Sequence, residues 1–271
     1  MTSAGYSGPR VVKYLFIDGG CLHSLLKVLS EKYFSSVPIE LDFQKFTSEF
    51  TKVFYYDALP VKKGSESEDQ FNRNFQTTKK FIEDLEMLDR FHVYLGESKH
   101  GKKGIEQKQV DVLIAIHLLK HSFNRNMHRA TLLTTDSDFI PLLDALVETG
   151  MHITIWYGDS NGCRANKGLL KAADSRRKIG IKGIYECTKE EFSKKYKIPK
   201  VTSGPKKEYT TLIQALEDES FGKIELYKED DFIIVFRDKR VLNIDFLSHI
   251  SFPDLEILRF FAEDEYKIII P

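Results

Sequence analysis

Four aspartates of this 271-residue chain, Asp18, Asp111, Asp136 and Asp138, stand where chemistry could be done. Asp18 ends the apolar run VVKYLFID, Asp136 ends RATLLTTD, and Asp138 follows two residues later. Asp111 lies where polar EQKQ gives way to apolar VLIAIHLL. Carboxylates gathered in one partly desolvated place repel each other and raise one another's pKa, so such a group calls for a cation. Oxygen donors without thiolates and with few imidazoles favour a hard ion, Mg2+ or Mn2+. Such an ion can bind a phosphodiester oxygen, activate water and stabilise a leaving oxygen. Each Asp also has an ordinary use: Asp138 as a helix N-cap, Asp111 as a first-turn residue favoured by the helix dipole.

The elements around them decide whether they meet. VVKYLFIDGG, FTKVFYYDALP, RFHVYLG, RATLLTT and MHITIWYG read as buried strands, and IKGIYEC is expected to be a last one. HSLLKVLSEKYF, residues 71–88, KQVDVLIAIHLLKHSF, DFIPLLDALVETG and NKGLLKAADSRRK carry helical spacing, whereas KKGSESEDQ and ESKHGKKGIEQ read as polar loops. Alternating strands and helices predict an α/β fold with helices on both faces of a mainly parallel sheet. Its right-handed crossovers bring the carboxyl ends of the strands to one edge.

The expected organisation is a domain over 1–187, a basic connector over 188–207 and a small C-terminal α+β domain over 208–271 without a chemical motif. Lys+Arg and Asp+Glu both number 40, which excludes a uniformly basic nucleic-acid coat but not a local patch. Three cysteines without CxxC spacing argue against a disulfide framework or a cysteine-rich zinc site. No apolar run approaches the ~20 residues needed to cross a bilayer, and MTSAGYSGPR lacks a secretory pattern. The expected location is cytoplasmic, with no membrane partner.

YLFIDGGCL, KVFYYDALP, KQVDVLIAIHLL, LLTTDSDFIPLLDAL, GMHITIWYG and LLKAADSRRK occur in the order found in the NYN domain, a branch of the PIN-like ribonucleases. The resemblance spans about 11–184. It implies a three-layer α/β/α sandwich, an acidic divalent-metal site at Asp18, Asp111, Asp136 and Asp138, and RNA as substrate. Asp174 matches a recurring family Asp, with helix-surface charge as its alternative role. The chain departs from the family twice. Cys21 stands where the family usually has Asn, and His117 where it commonly has a further Asp; both are possible auxiliaries to the site. A thiol among carboxylates makes a poor thiolate. His117 either serves a metal or proton transfer, or is a hydrogen-bonded core histidine.

Basic residues concentrate between Arg164 and Lys207. Arg164 and Lys167, with Lys102 and Lys103 ahead of the Asp111 helix, are the expected substrate contacts through phosphate. Two functions follow: a metal-dependent endoribonuclease leaving 5′-phosphate and 3′-hydroxyl ends, or a degenerate member acting as an RNA- or protein-binding module. A homo-oligomer, or a protein partner through the C-terminal region, is open.

Overall fold

The computed structural model describes residues 11–271 other than 63, 65, 102, 103 and 159–162. The chain divides into two compact units, residues 1–28 with 42–179 and residues 29–41 with 180–271.

In chain order the first unit holds β1 (Lys13–Asp18), α1 (Gly19–Tyr33, whose last residues belong to the second unit), α2 (Phe43–Phe46), β2 (Lys52–Ala58) and α3 (Glu68–Glu86). β3 (Phe91–Gly101), β4 (Gly104–Lys108), α4 (Val110–Phe123), β5 (Arg129–Leu133), α5 (Ile140–Glu148), β6 (His152–Tyr157), α6 (Lys167–Ala172) and β7 (Ser175–Lys178) complete it. The sheet order is β4-β3-β2-β1-β5-β6-β7. Every pairing is parallel except β3 with β4. Helices flank this sheet, as the α/β/α expectation requires.

Alternation along each strand sends side chains to opposite faces. Phe16, Phe54, Tyr56, Leu132 and Ile155 pack with Ile114 and Leu118 of α4, Leu143 and Leu146 of α5 and Leu169 of α6. Leu15, Ile17 and Tyr55 are fully buried on the other face, where the Tyr55 ring meets Phe81 of α3. The strand order runs outward in both directions from β1, so the switch point lies between β1 and β5. Open α/β sheets bind ligands at that place. Pro141 sits in the first turn of α5, where its missing N–H costs nothing, and Gly150 ends the helix region at φ +84°.

The second unit holds α7 (Ile181–Glu186), α8 (Glu190–Lys195), β8 (Lys200–Gly204), β9 (Leu212–Asp218), β10 (Gly222–Lys228), β11 (Phe232–Phe236), β12 (Leu247–Phe252) and α9 (Leu255–Tyr266). Its antiparallel sheet has the order β8-β12-β11-β10-β9. Residues 29–41 join it through a Leu41–Thr188 bridge and the Phe34–Phe192 ring contact at 5.1 Å. The stretch expected as a connector therefore contains a helix and an edge strand.

Three local expectations are corrected. IKGIYEC is helical, because Ile181 and Ile184 bury one helix face. NKGLLKAADSRRK splits into α6 and the edge strand β7, whose two central arginines face solvent. ESKHGKKGIEQ, expected as a loop, contains the end of β3 up to Gly101 and most of β4 from Gly104, and these two strands pair antiparallel. Among the described residues, no helix is long and apolar enough to cross a membrane.

Candidate functional site

Asp18 is the last residue of β1, paired in register with Tyr56 of β2. Ile17 pairs with Leu133, so Thr134 follows β5 directly beside Asp18. The fully buried Thr134 donates its hydroxyl to Oδ2 of Asp18 at 3.0 Å. The same hydroxyl oxygen accepts the backbone N–H of Asp136 at 3.2 Å. Oδ1 of Asp18 accepts the backbone N–H of Cys21 at 3.1 Å, tying the strand end to the first turn of α1. Asp136 caps the 3-10 turn Ser137–Phe139 by accepting the N–H of Asp138 at 2.9 Å. Asp111 occupies the first turn of α4.

Asp18, Asp111 and Asp136 line one pocket of about 310 Å³ together with Gly20, Cys21, Ser24, Val110 and Thr135. Burial pushes the Asp18 carboxyl up; the Cys21 and Thr134 hydrogen bonds pull it down less, and the charges of Asp111 and Asp57 add to the rise. The Asp111 carboxyl is also raised, by partial desolvation and then by the charges of Asp136 and Asp138, although much of the residue is open to solvent. Asp138 itself is exposed and lies outside the lining.

Among the described residues, no three His, Cys, Asp or Glu side chains stand close enough to hold one ion directly. Each pocket carboxylate nevertheless keeps lone pairs beyond its known hydrogen bonds. That donor set fits a hard ion that retains most of its water, as Mg2+ does on one or two carboxylates.

The two departures from the family pattern fall in different places. Cys21 is buried in the pocket wall. Its thiol is pushed up to about 12 by burial and by the Asp18 charge, so it is neither thiolate nor nucleophile. His117 does not line the pocket. Its Nδ1 is hydrogen-bonded to the Tyr56 hydroxyl at 2.9 Å and its ring centroid lies 4.2 Å from that of Tyr94. Burial, followed by the Lys120 charge, lowers its pKa and keeps it neutral near pH 7.

Arg164 and Lys167 are exposed, Arg164 bridging to Gly158 just past β6 and Lys167 opening α6; neither lines the pocket. Lys102 and Lys103 lie outside the described residues. Asp174 follows α6 instead of lying on it, and its Oδ2 accepts the Ile153 N–H at 2.8 Å. Sequence reasoning missed Thr134, Thr135 and Ser24, and also Asp57. The end of the apolar run FYYD carries the same signal that singled out Asp18.

A protein of unknown function from Vibrio parahaemolyticus, known from its crystal structure, is similar to this chain with a TM-score of 0.46 and 16% identity, over 67% of this chain and 98% of the other. No curated protein shows significant similarity. The sequence profile of the NYN domain matches residues 15–179, from β1 to the end of the parallel sheet. Matched by that profile over more than half its length, this chain belongs to the NYN domain family and carries its PIN-like, nuclease-type domain.

Proposed function

We propose that the chain is a divalent-metal-dependent endoribonuclease that hydrolyses RNA to 5′-phosphate and 3′-hydroxyl ends in the cytoplasm. What supports this best is the meeting of Asp18, Asp111 and Asp136 around one pocket at the switch point of an NYN-domain sheet. NYN and PIN-like nucleases generally depend on divalent metal, and NYN domains generally bind RNA.

In this reading Asp18 and Asp136 hold Mg2+ or Mn2+, with Asp111 and the rim carboxylate Asp138 adding negative charge. When bound, the ion supplies Lewis-acid polarisation of the phosphodiester and a more acidic water. The chain supplies the rest. Asp111, with a raised carboxyl, is suited to accept the proton of an attacking water near neutral pH. Thr134 and the Cys21 N–H fix both oxygens of Asp18. Arg164, Lys167, Lys102 and Lys103 offer charge to backbone phosphates, which gives affinity without sequence information.

The test is cleavage of single-stranded and structured RNA by the purified chain, in Mn2+ and in EDTA. Cleavage in Mn2+ alone, lost in Asp18→Asn, is the expected result. Undiminished cleavage by that variant overturns the site.

A second reading, RNA binding without cutting, is favoured by Cys21 in place of an amide and by a His117 engaged with Tyr56 and Tyr94 instead of the pocket. RNA bound tightly but left intact in Mn2+ would establish it.

A further inference from the structure

A second polar assembly stands at the same sheet edge. Asp57 lies on β2 one residue beyond Tyr56, the register partner of Asp18, and is only 5% exposed. Its Oδ1 accepts the N–H of Ala58 at 2.8 Å. Its Oδ2 accepts the hydroxyl of Tyr55 at 2.9 Å and lies 3.0 Å from Nε2 of His23. The Tyr55 hydroxyl is itself 3.1 Å from that nitrogen. α1 starts hard against the group. A Cβ on Gly19 would lie 2.7 Å from Asp57 Oδ2 and 2.7 Å from the Tyr56 carbonyl, so the position admits no side chain.

A buried carboxylate, a fully buried phenol and a glycine with no room to grow thus hold one imidazole. That imidazole is not a core group: 51% of the His23 side chain is exposed, and on its other flank lies the Phe81 ring, 5.8 Å away. With its Nε2–H donated to Asp57, Nδ1 is the atom left for an outside contact, and it has no partner among the described residues. Asp57 remains ionised. Burial raises its carboxyl, but the His23 hydrogen bond and charge, then Ala58 and Tyr55, outweigh that and hold it below the usual range. A phosphate oxygen only accepts hydrogen bonds, so a phosphate contact here is made by the ring carrying a proton on each nitrogen, one toward Asp57 and one outward.

Gly20, Cys21 and Ser24 of α1 line the acidic pocket, and His23, outside that lining, lies on the same turns of the helix. A polyanion approaching clustered carboxylates needs positive charge there. We propose that His23, oriented by Asp57 and Tyr55, is a contact for the RNA backbone phosphate adjacent to the one in the acidic pocket. This rests on the nuclease reading above.

The experiment measures binding of a fluorescent single-stranded RNA to the full chain in EDTA at several salt concentrations, with cleavage in Mn2+ alongside. His23→Ala is expected to weaken binding about tenfold and to flatten the salt dependence by about one phosphate, a change of roughly 0.7 in slope. In cleavage the loss falls on KM more than on kcat. His23→Lys restores the slope, and the neutral His23→Gln, which keeps the volume, does not. Unchanged affinity and slope in His23→Ala, or a loss confined to kcat, overturns the assignment while wild-type cleavage leaves the nuclease reading standing. A wild-type chain that neither binds nor cuts RNA removes both.

Discussion

Thr134 and Asp18 are joined at 3.0 Å by a hydroxyl that also accepts the Asp136 N–H, so one buried threonine sets the spacing of two site carboxylates. Thr134→Val keeps the shape and removes both bonds, at a cost of about 0.5–1.5 kcal/mol for each lost bond. Denaturant melts should show that loss, and Mn2+ titrations of cleavage should shift to higher concentration. Thr134→Ser should behave nearly as wild type.

Neutralising Asp18 or Asp136 to Asn should reduce cleavage by about a hundredfold or more while leaving far-UV circular dichroism unchanged. Asp138→Asn should cost less than either, since that residue acts on the pocket through charge and not from its wall. Initial rates on one labelled RNA give the ranking; Asp138 ranking first would reverse it.

Asp111 and Asp57 should respond to pH with opposite signs. The Asp111 carboxyl is raised by folding, so its ionised form opposes folding once pH exceeds the unfolded value near 4. Asp111→Asn should therefore raise the Tm at pH 7, with the gain fading as pH falls toward 4. The Asp57 carboxyl is lowered by folding, so its stabilising effect is present at pH 7 and is lost as pH falls through the folded value. Asp57→Asn should cost about 1–3 kcal/mol at pH 7 and progressively less in acid. Melting curves from pH 3 to 8 read both.

Divalent ions should raise the wild-type Tm, because a ligand that binds only the folded chain stabilises it by mass action. The shift in Mn2+ should shrink in Asp18→Asn and Asp136→Asn. Equal shifts in all three proteins would mean that the ion binds elsewhere.

His117→Asp, which restores the common family residue, should fail to raise cleavage. It replaces a ring between Tyr56 and Tyr94 with a carboxylate in a partly buried aromatic setting. A loss of about 1–3 kcal/mol is expected, read by urea melts beside the RNA assay.

Much of the first unit was legible in the sequence because its strands are buried on both faces and read as apolar runs closed by Asp, Gly or Pro. Asp18 and Asp136 stood out for that reason, and Asp111 from its place at a helix start. Asp57 bore the same mark, but its meaning lies in His23, thirty-four residues earlier, and no spacing rule joins them. The Thr134 hydroxyl was hidden similarly: its two partners are set by strand register across β1 and β5. Edge strands were the least readable. β7 and β8 are polar because only part of each strand is covered, so SRRK reads as a helix end and KVTSG as a linker.

The second unit draws on residues 29–41 as well as 180–271. During synthesis the parallel sheet has all its strands once Lys178 has left the ribosome, and it can settle while the rest is still being made. Leu41, Phe34 and the end of α1 must wait for partners translated some hundred and fifty residues later. A stalled or clipped polypeptide would hold a finished acidic pocket on a first helix whose far end is still uncovered.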